Sequence, residues 1–288
     1  MIDSQKASDS TSSLLLEIAR CPIIDAWYAA DSTEREKNSC NEIISYQVKN
    51  PEFNAVERKE FQAPEPWRGH LKRAPLLFVS SNPSIGPAKS IGHWNDADLV
   101  SFHDGSFDRE ESNSCGGSVV DGAYIRNDGG SRGKYIRFWG AILNIARELM
   151  PSEKVAIPGT DYALTEVVHC KSRGEKGVNG RKGAVKPCSE LYLERIVTES
   201  EACVIVVLGN AARWAMTWVF KNLGALVNEP PEWGKVCGPT IVAGRERYVV
   251  FMPHPNARTQ RTFAAIVKQH DIEQLKQSLL EARRNVVG

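Results

Sequence analysis

The sequence predicts an α/β fold, a three-layer sandwich whose central, mainly parallel sheet of about four strands is flanked by helices. Three observations lead there. Short apolar runs recur at 76–81, 163–168, 203–208 and 248–252, and runs without polar alternation are what strands buried on both faces require. Between them lie segments with apolar residues at helical spacing. Strand and helix then alternate, the order that feeds parallel strands into one sheet through helical crossovers.

Composition sets the outer bounds. The chain has 288 residues, 42% of them hydrophobic and 25% charged, with a formal charge of +1. These proportions suit a folded globular chain and exclude a disordered one. The length suggests a single large unit over 74–288, carrying an N-terminal helical and extended arm over 1–73. No apolar run nears the roughly 20 residues that cross a bilayer. Residues 1–13 are polar and lack the basic-then-apolar order of a secretory leader, so a cytoplasmic, monomeric protein with no membrane partner is expected. The seven cysteines form no CxxC pair, an odd count that argues against a disulfide framework.

The elements follow in order. Residues 14–21 read as a short helix, and 22–73 as a loosely patterned arm in which Pro64, Pro66 and Trp67 suggest an extended piece lying on the core. The strand LLFVSS at 76–81 stops at Asn82-Pro83, because proline cannot donate to a ladder. Residues 87–133 are rich in Gly, Ser, Asn and Asp, with scattered aromatics at Trp94, Phe102, Phe107 and Tyr124. That stretch is too long for a plain connection and reads as a functional insertion. Ile136, Trp139, Ile142, Leu143, Ala146 and Leu149 mark a helix. A strand at 163–168 leads into a Gly- and Lys-rich loop at 171–187, then a helix at about 188–200. The run 203–208 is a buried strand closed by Gly209. A helix at about 210–222 carries Trp214 and Trp218 on one side, and a strand at 248–252 precedes an amphipathic helix at 271–284. Sheets of this kind bind ligands beyond the carboxyl ends of their strands. Asn82, the segment after Glu166 and His254 therefore become the positions of interest.

Motifs at those positions carry a resemblance. SSNPSIG at 80–86 and HPNAR at 254–258 resemble the two active-site motifs of the uracil-DNA glycosylase superfamily, in the same order and at similar separation. RFWGAILNIA at 137–146 is similar to a helix of its mismatch-specific branch. LTEVVHCKSRG, Cys188 and IVVLGNAA resemble the centre of its iron-sulfur branch. The likeness spans roughly residues 74–260. It departs at Ser80 and Ser84, which replace motif glycines, at Glu166, where uracil-cleaving members carry Asn, and in the longer stretch before 137. Read alone, Asn82-Pro83 ends a strand and His254-Pro255 caps one; four motifs in order give them chemistry.

The resemblance implies a monofunctional DNA glycosylase that hydrolyses the N-glycosidic bond of a flipped-out base, leaving an abasic site, in base-excision repair or in defence against phage with modified DNA. Asn82 would orient the attacking water, and His254 would donate to O2 of the departing base. Ser81 and Pro83 would touch the base, with Tyr135 or Tyr124 as the stacking platform and Phe138 equally suited to the core. Arg258 and Asn256 would meet DNA in the gap left by the flipped nucleotide. Loop 171–187 holds six basic residues against one acidic residue, and Lys171 and Arg173 there are candidates for the phosphate backbone. Glu166 points to a cytosine-type base, since a carboxylate accepts from the exocyclic amine and a carboxylic acid also donates to N3. The alternative for Glu166 is a surface or salt-bridged residue. No metal is required, though Cys21, Cys40, Cys170 and Cys188 fall near the ligand positions of the branch that binds a [4Fe-4S] cluster. A non-catalytic nucleic-acid or nucleotide-binding module using the same pocket is the competing function. A Rossmann or Walker-type nucleotide site is excluded, because no GxGxxG or Walker loop follows a predicted strand.

Overall fold

The computed structural model describes residues 2–85, 95–104, 119–126, 132–150, 156–178, 183–225, 232–257 and 262–287. Its sheet has six strands in the order β1-β6-β2-β7-β9-β8. They are β1 (Trp67–Arg68), β2 (Leu76–Ser80), β6 (Tyr162–Glu166), β7 (Val204–Leu208), β8 (Val236–Val242) and β9 (Arg245–Met252). The inner four, β6, β2, β7 and β9, run parallel, and β1 and β8 close the two edges antiparallel. The expected sheet of about four strands is thus a mixed sheet of six. Both additions have weak sequence signals. Strand β1 is two residues long, too short for any periodicity, and β8 carries Pro239 beside a register irregularity, which is tolerated only at an edge or bulge.

Strands β2, β6 and β7 are buried throughout, as their apolar runs require, and β9 is buried over its last four residues. Side chains alternate between two cores. Leu77, Val79, Ala163, Ile205, Val207, Val249 and Phe251 face one layer; Leu76, Phe78, Leu164, Val204, Val206, Val250 and Met252 face the other. Helix α9 (Gly209–Asn222) covers the first face, while α6 (Arg137–Leu149) and α10 (Gln269–Val287) cover the second. Helix α6 buries Ile142, Leu143, Ile145, Ala146 and Leu149, the stripe its spacing predicts, and Pro151 follows it in the sequence, unable to continue the turn.

The N-terminal arm differs most from expectation. Instead of one short helix and a loose segment it forms α1 (Ile2–Ala19), α2 (Pro22–Ala29), α3 (Ser32–Lys37) and α4 (Asn41–Lys49) before β1. Ile18, Ile24, Ile43, Ile44, Phe61 and Trp67 from this arm share the first core with β2, β6 and β7. Helices α2, α3 and α4 are short and separated by turns, which interrupts their periodicity and explains why the pattern reads as loose. The insertion supplies α5 (Asp96–Asp104) and a small sheet of β3 (Val119–Val120), β4 (Tyr124–Arg126) and β5 (Arg132–Tyr135). Between β6 and β7 lie α7 (Val185–Cys188) and α8 (Glu194–Glu199), joined by a π-helical turn. Among the described residues no helix is long and apolar enough to cross a membrane.

Because the arm completes both the sheet and the core, Ile44→Ala should destabilise the whole chain by about 2–5 kcal/mol, the usual cost of such a truncation in a packed core. Urea denaturation should show one transition shifted as a unit; a separate early transition of the arm alone would contradict this.

Candidate active site

The carboxyl ends of the parallel strands bring the sequence-predicted residues to one edge. Thr165, Val79, Val207 and Phe251 form one continuous row across β6, β2, β7 and β9. Asn82 and His254 each lie three residues beyond that row, on the two strands that flank β7. With neighbouring strands about 4.8 Å apart, the two positions are separated by roughly 10 Å. Glu166 ends β6, paired with Ser80. Strand β7 runs into Gly209, which adopts a φ of +86°, and a Cβ there would stand 3.0 Å from the Cβ of His254. Glycine is needed at this position for both its backbone and its closeness to the imidazole.

Asn82 is oriented by its surroundings. Its Nδ2 donates to Ser172 Oγ at 2.9 Å and to the carbonyl oxygens of Pro83 and Cys170 at 3.2 and 3.4 Å. Carbonyl oxygens only accept, so the amide can sit in one way only. These bonds leave its Oδ1 as an acceptor that none of them uses. Ser81 is buried, and its carbonyl accepts from Val168 N at 3.0 Å; the Pro83 carbonyl accepts from Ser172 N at 3.1 Å. These bonds stitch the first motif to the segment after β6.

His254 is held in one tautomer. Its Nδ1 accepts from the backbone N–H of Asn256 at 3.2 Å, so Nε2 carries the proton and donates. Burial holds its pKa below the ordinary value, with Glu175 opposing more weakly, and the ring is neutral near pH 7. Phe138 stacks on it, 5.4 Å between centroids and 19° between planes. Trp139 stands edge-on to Phe138 at 5.3 Å, and the Arg68 guanidinium lies 5.3 Å from the Trp139 ring. The first turn of α6 therefore lays a row of rings along the strand ends, from His254 beyond β9 to Arg68 on β1.

Arg68 opens a buried ionic group that the sequence does not reveal. Glu65 accepts from Arg68 at 2.9 Å and from Lys171 Nζ at 2.8 Å, all three side chains buried. Burial pushes the Glu65 pKa up, but the two cations outweigh it and hold it far below the carboxylate range. His103, from α5 of the insertion, faces the same group, and burial lowers its pKa to about 3. The backbone oxygen of Glu65 meets His169 Nδ1 at 2.9 Å, and burial lowers that imidazole to about 4.

Glu166 sits beside this group, only 4% exposed. Burial first, and then the Glu65 carboxylate, push its pKa up to about 8, against Arg68 and Lys171. Its carboxyl is thus protonated near neutrality. It is neither on the surface nor in a salt bridge, and among the described residues no hydrogen bond engages it.

Several expected roles shift. Lys171 is not available to a phosphate backbone: it is buried as the counter-ion of Glu65. Arg173 is half exposed but held by both carboxylate oxygens of Glu52 at 2.7 and 2.6 Å, over the Phe53 ring. Lys176 is exposed, while Arg181, Lys182 and Arg258 lie outside the described residues. Asn256 is exposed beside His254. Tyr135 and Tyr124 stand edge-on to one another at 5.4 Å beside a separate recess, and the ring that meets His254 is Phe138.

Cys21, Cys40, Cys170 and Cys188 come together in the first core, all buried and unoxidised. The Cys188 thiol donates to Cys40, which lowers Cys40 and raises Cys188. Burial, followed by the proximity of Cys21 and Cys40, raises Cys170. Burial raises Cys21, and the Tyr192 hydroxyl that donates to it opposes this. Among the described residues no three His, Cys, Asp or Glu side chains are arranged around a metal position.

Compared with family models and with curated proteins, the sequence matches none.

The raised pKa of Glu166 has a definite sign for stability. The folded chain keeps a proton that the unfolded chain releases near 4.5, so this contribution is complete below that pH and is lost as pH rises towards about 8. Glu166→Gln keeps a neutral donor and acceptor and removes the ionisation. Thermal melts across that window should fall with pH more steeply for the natural chain than for the variant. Parallel curves would show that Glu166 does not titrate there.

Proposed function

We propose that the chain is a monofunctional DNA glycosylase of the uracil-DNA glycosylase type, acting on a cytosine-type base. The observation that carries this reading is the placement, at one sheet edge, of three differently prepared groups: an amide whose Oδ1 is not used by the bonds that hold it, a neutral imidazole whose Nε2 carries the proton, and a buried neutral carboxyl. A neutral carboxyl offers one donor and one acceptor, and a ligand edge that both donates and accepts would match it.

The chemistry follows from those groups. Extruding a nucleotide from the stack costs a few kcal/mol. The base then lies across the strand ends, with its N3 and exocyclic amine towards Glu166 and its O2 towards His254. Protonated Glu166 donates to N3 and accepts from the amine, the complement of a cytosine edge. As the C1′–N1 bond breaks, charge gathers on the base, and the Nε2–H of His254 stabilises it at O2. Fixed donors of this kind need no reorganisation as the charge develops. Water held by Asn82 Oδ1 adds to C1′, and its proton leaves with the base. An amide is no strong base, which suits a sugar that has already become cationic. Lys171 is engaged by Glu65, so the chemistry is hydrolytic rather than a Schiff-base lyase reaction. A decorated cytosine would make foreign DNA the target, and a plain or deaminated base would make it repair.

The four buried cysteines supply, in number and kind, the thiolates that a [4Fe-4S] cluster takes. Cys21, Cys40, Cys170 and Cys188 would hold it, and it would cross-link α2, α4, the segment after β6 and α7. Anaerobically purified protein should then contain iron and absorb visible light, and Cys170→Ala together with Cys188→Ala should abolish both. Iron-free, colourless protein would leave the four as packing residues.

Asn82→Ala and His254→Ala should each slow base release about 100- to 1000-fold, as loss of one charge-stabilising donor does. Mass spectrometry of bases released from DNAs carrying uracil, mismatched thymine or modified cytosines would measure this. Glu166→Asn should move release towards uracil. Release that survives both substitutions would end the catalytic reading in favour of a module that only binds the base.

A further inference from the structure

A second recess opens on the other side of α6 from the ring row. It measures about 270 Å³ and is walled by β4, β5 and α6, with Tyr124, Tyr135, Arg132, Asn144 and Arg147 among its lining. Tyr135 is 49% exposed, and Ile157, beside the lining residues Ala156 and Pro158, is 56% exposed. Of these two, Tyr135 lines the recess and stands half in solvent at its opening. Gly140 makes room for the arrangement: a Cβ there would fall 1.7 Å from the Tyr135 hydroxyl, so only glycine lets the tyrosine rest on the helix.

The cations in the recess are not equivalent. Arg132 is bound by Asp121, its Nε 3.0 Å from Oδ2, and lies 4.4 Å from the Tyr124 ring. Arg147 is exposed on α6, one turn beyond Leu143, and among the described residues no carboxylate pairs with it. Asn144 brings an amide beside it. The recess therefore offers an exposed aromatic face, an apolar rim, an amide and an uncommitted guanidinium. That set matches a nucleotide, a flat base joined to a phosphate: aromatic rings stack on any base, and arginine takes phosphate oxygens through paired N–H donors. The volume suits one base rather than a larger ligand.

We infer that this recess is a second nucleotide subsite, which takes an unpaired nucleotide with its base on Tyr135 and its phosphate on Arg147. It rests on the proposed action on DNA for the source of that nucleotide, a neighbour of the extruded one, but not for its chemistry. The two positions are joined through α6, whose first turn serves the strand-end site and whose 140–147 stripe lines the recess.

A labelled ten-residue oligothymidylate tests this, since it contains neither uracil nor cytosine and reports binding without excision. Fluorescence anisotropy should show affinity about 10-fold weaker for Arg147→Gln and for Tyr135→Ala. Tyr135→Phe, which keeps the ring, should stay within about 2-fold of the natural chain, in line with stacking on the aromatic face. The Arg147→Gln loss should come with a shallower salt dependence. Thymidine 5′-monophosphate is the second arm: displacement of the oligomer by it would mean that the recess also accepts a free nucleotide, and failure to displace would restrict it to the strand. Equal affinity of all variants for both probes would overturn the inference. Failure of the excision reading would leave these binding results intact, whereas equal affinities would count against the subsite alone.

Discussion

The buried ionic group of Glu65, Arg68 and Lys171 is the constraint on which the strand-end site depends. Its members come from two distant parts of the chain: Glu65 and Arg68 from the end of the N-terminal arm, where β1 lies, and Lys171 from the segment after β6. Removing charges from water costs several kcal/mol per ion, and such a group persists only where each member is matched. Here two cations face Glu65, and the one remaining carboxyl beside them, Glu166, stays protonated near neutrality. Burial is the main reason that Glu166 keeps its proton; within the network Glu65 assists and the two cations oppose. The network also fixes β1 against β6, and through Arg68 it reaches Trp139 on α6.

This explains why the arm cannot be an accessory. Without β1 the edge of β6 would be unpaired, and Lys171 would lose the carboxylate that keeps it inside. The insertion is drawn into the same group, because α5 places His103 against Glu65. Two segments that seemed peripheral in the sequence thus supply the electrostatics of the sheet edge, while the conserved geometry of parallel strands supplies its positions.

What was legible in the sequence was whatever a long apolar period could carry. The four inner strands and helices α6, α9 and α10 stood out because each buries a stripe or a run that no loop tolerates. Asn82, Glu166 and His254 followed from the rule that parallel strands present their carboxyl ends to ligands. Glu65 and Arg68 were hidden in EPWR, where a two-residue strand has no period and charges read as solvent-facing. Lys171 was misread for a related reason: in sequence a lysine among five other basic residues is a surface charge, and only the fold shows which of them has a carboxylate behind it. Tyr135 was placed by position relative to RFW, but the small sheet of the insertion turns it away from the strand ends and leaves Phe138 beside His254.

Under the proposed function, the protonation of Glu166 sets which base edge the site would accept. An ionised carboxylate would only accept, binding an amine while repelling the lone pair at N3 of the same base. The neutral acid instead offers one donor and one acceptor side by side, so a single residue can satisfy both positions of a cytosine edge. An asparagine amide offers the same pair of functions, but its geometry and polarity match the uracil edge without any need for a buried counter-charge. Where an acid stands in place of such an amide, burial and the Glu65 carboxylate keep it from ionising, against the pull of Arg68 and Lys171. In the proposed reading, what Glu166 recognises therefore depends on its burial and on the charge of its neighbour Glu65.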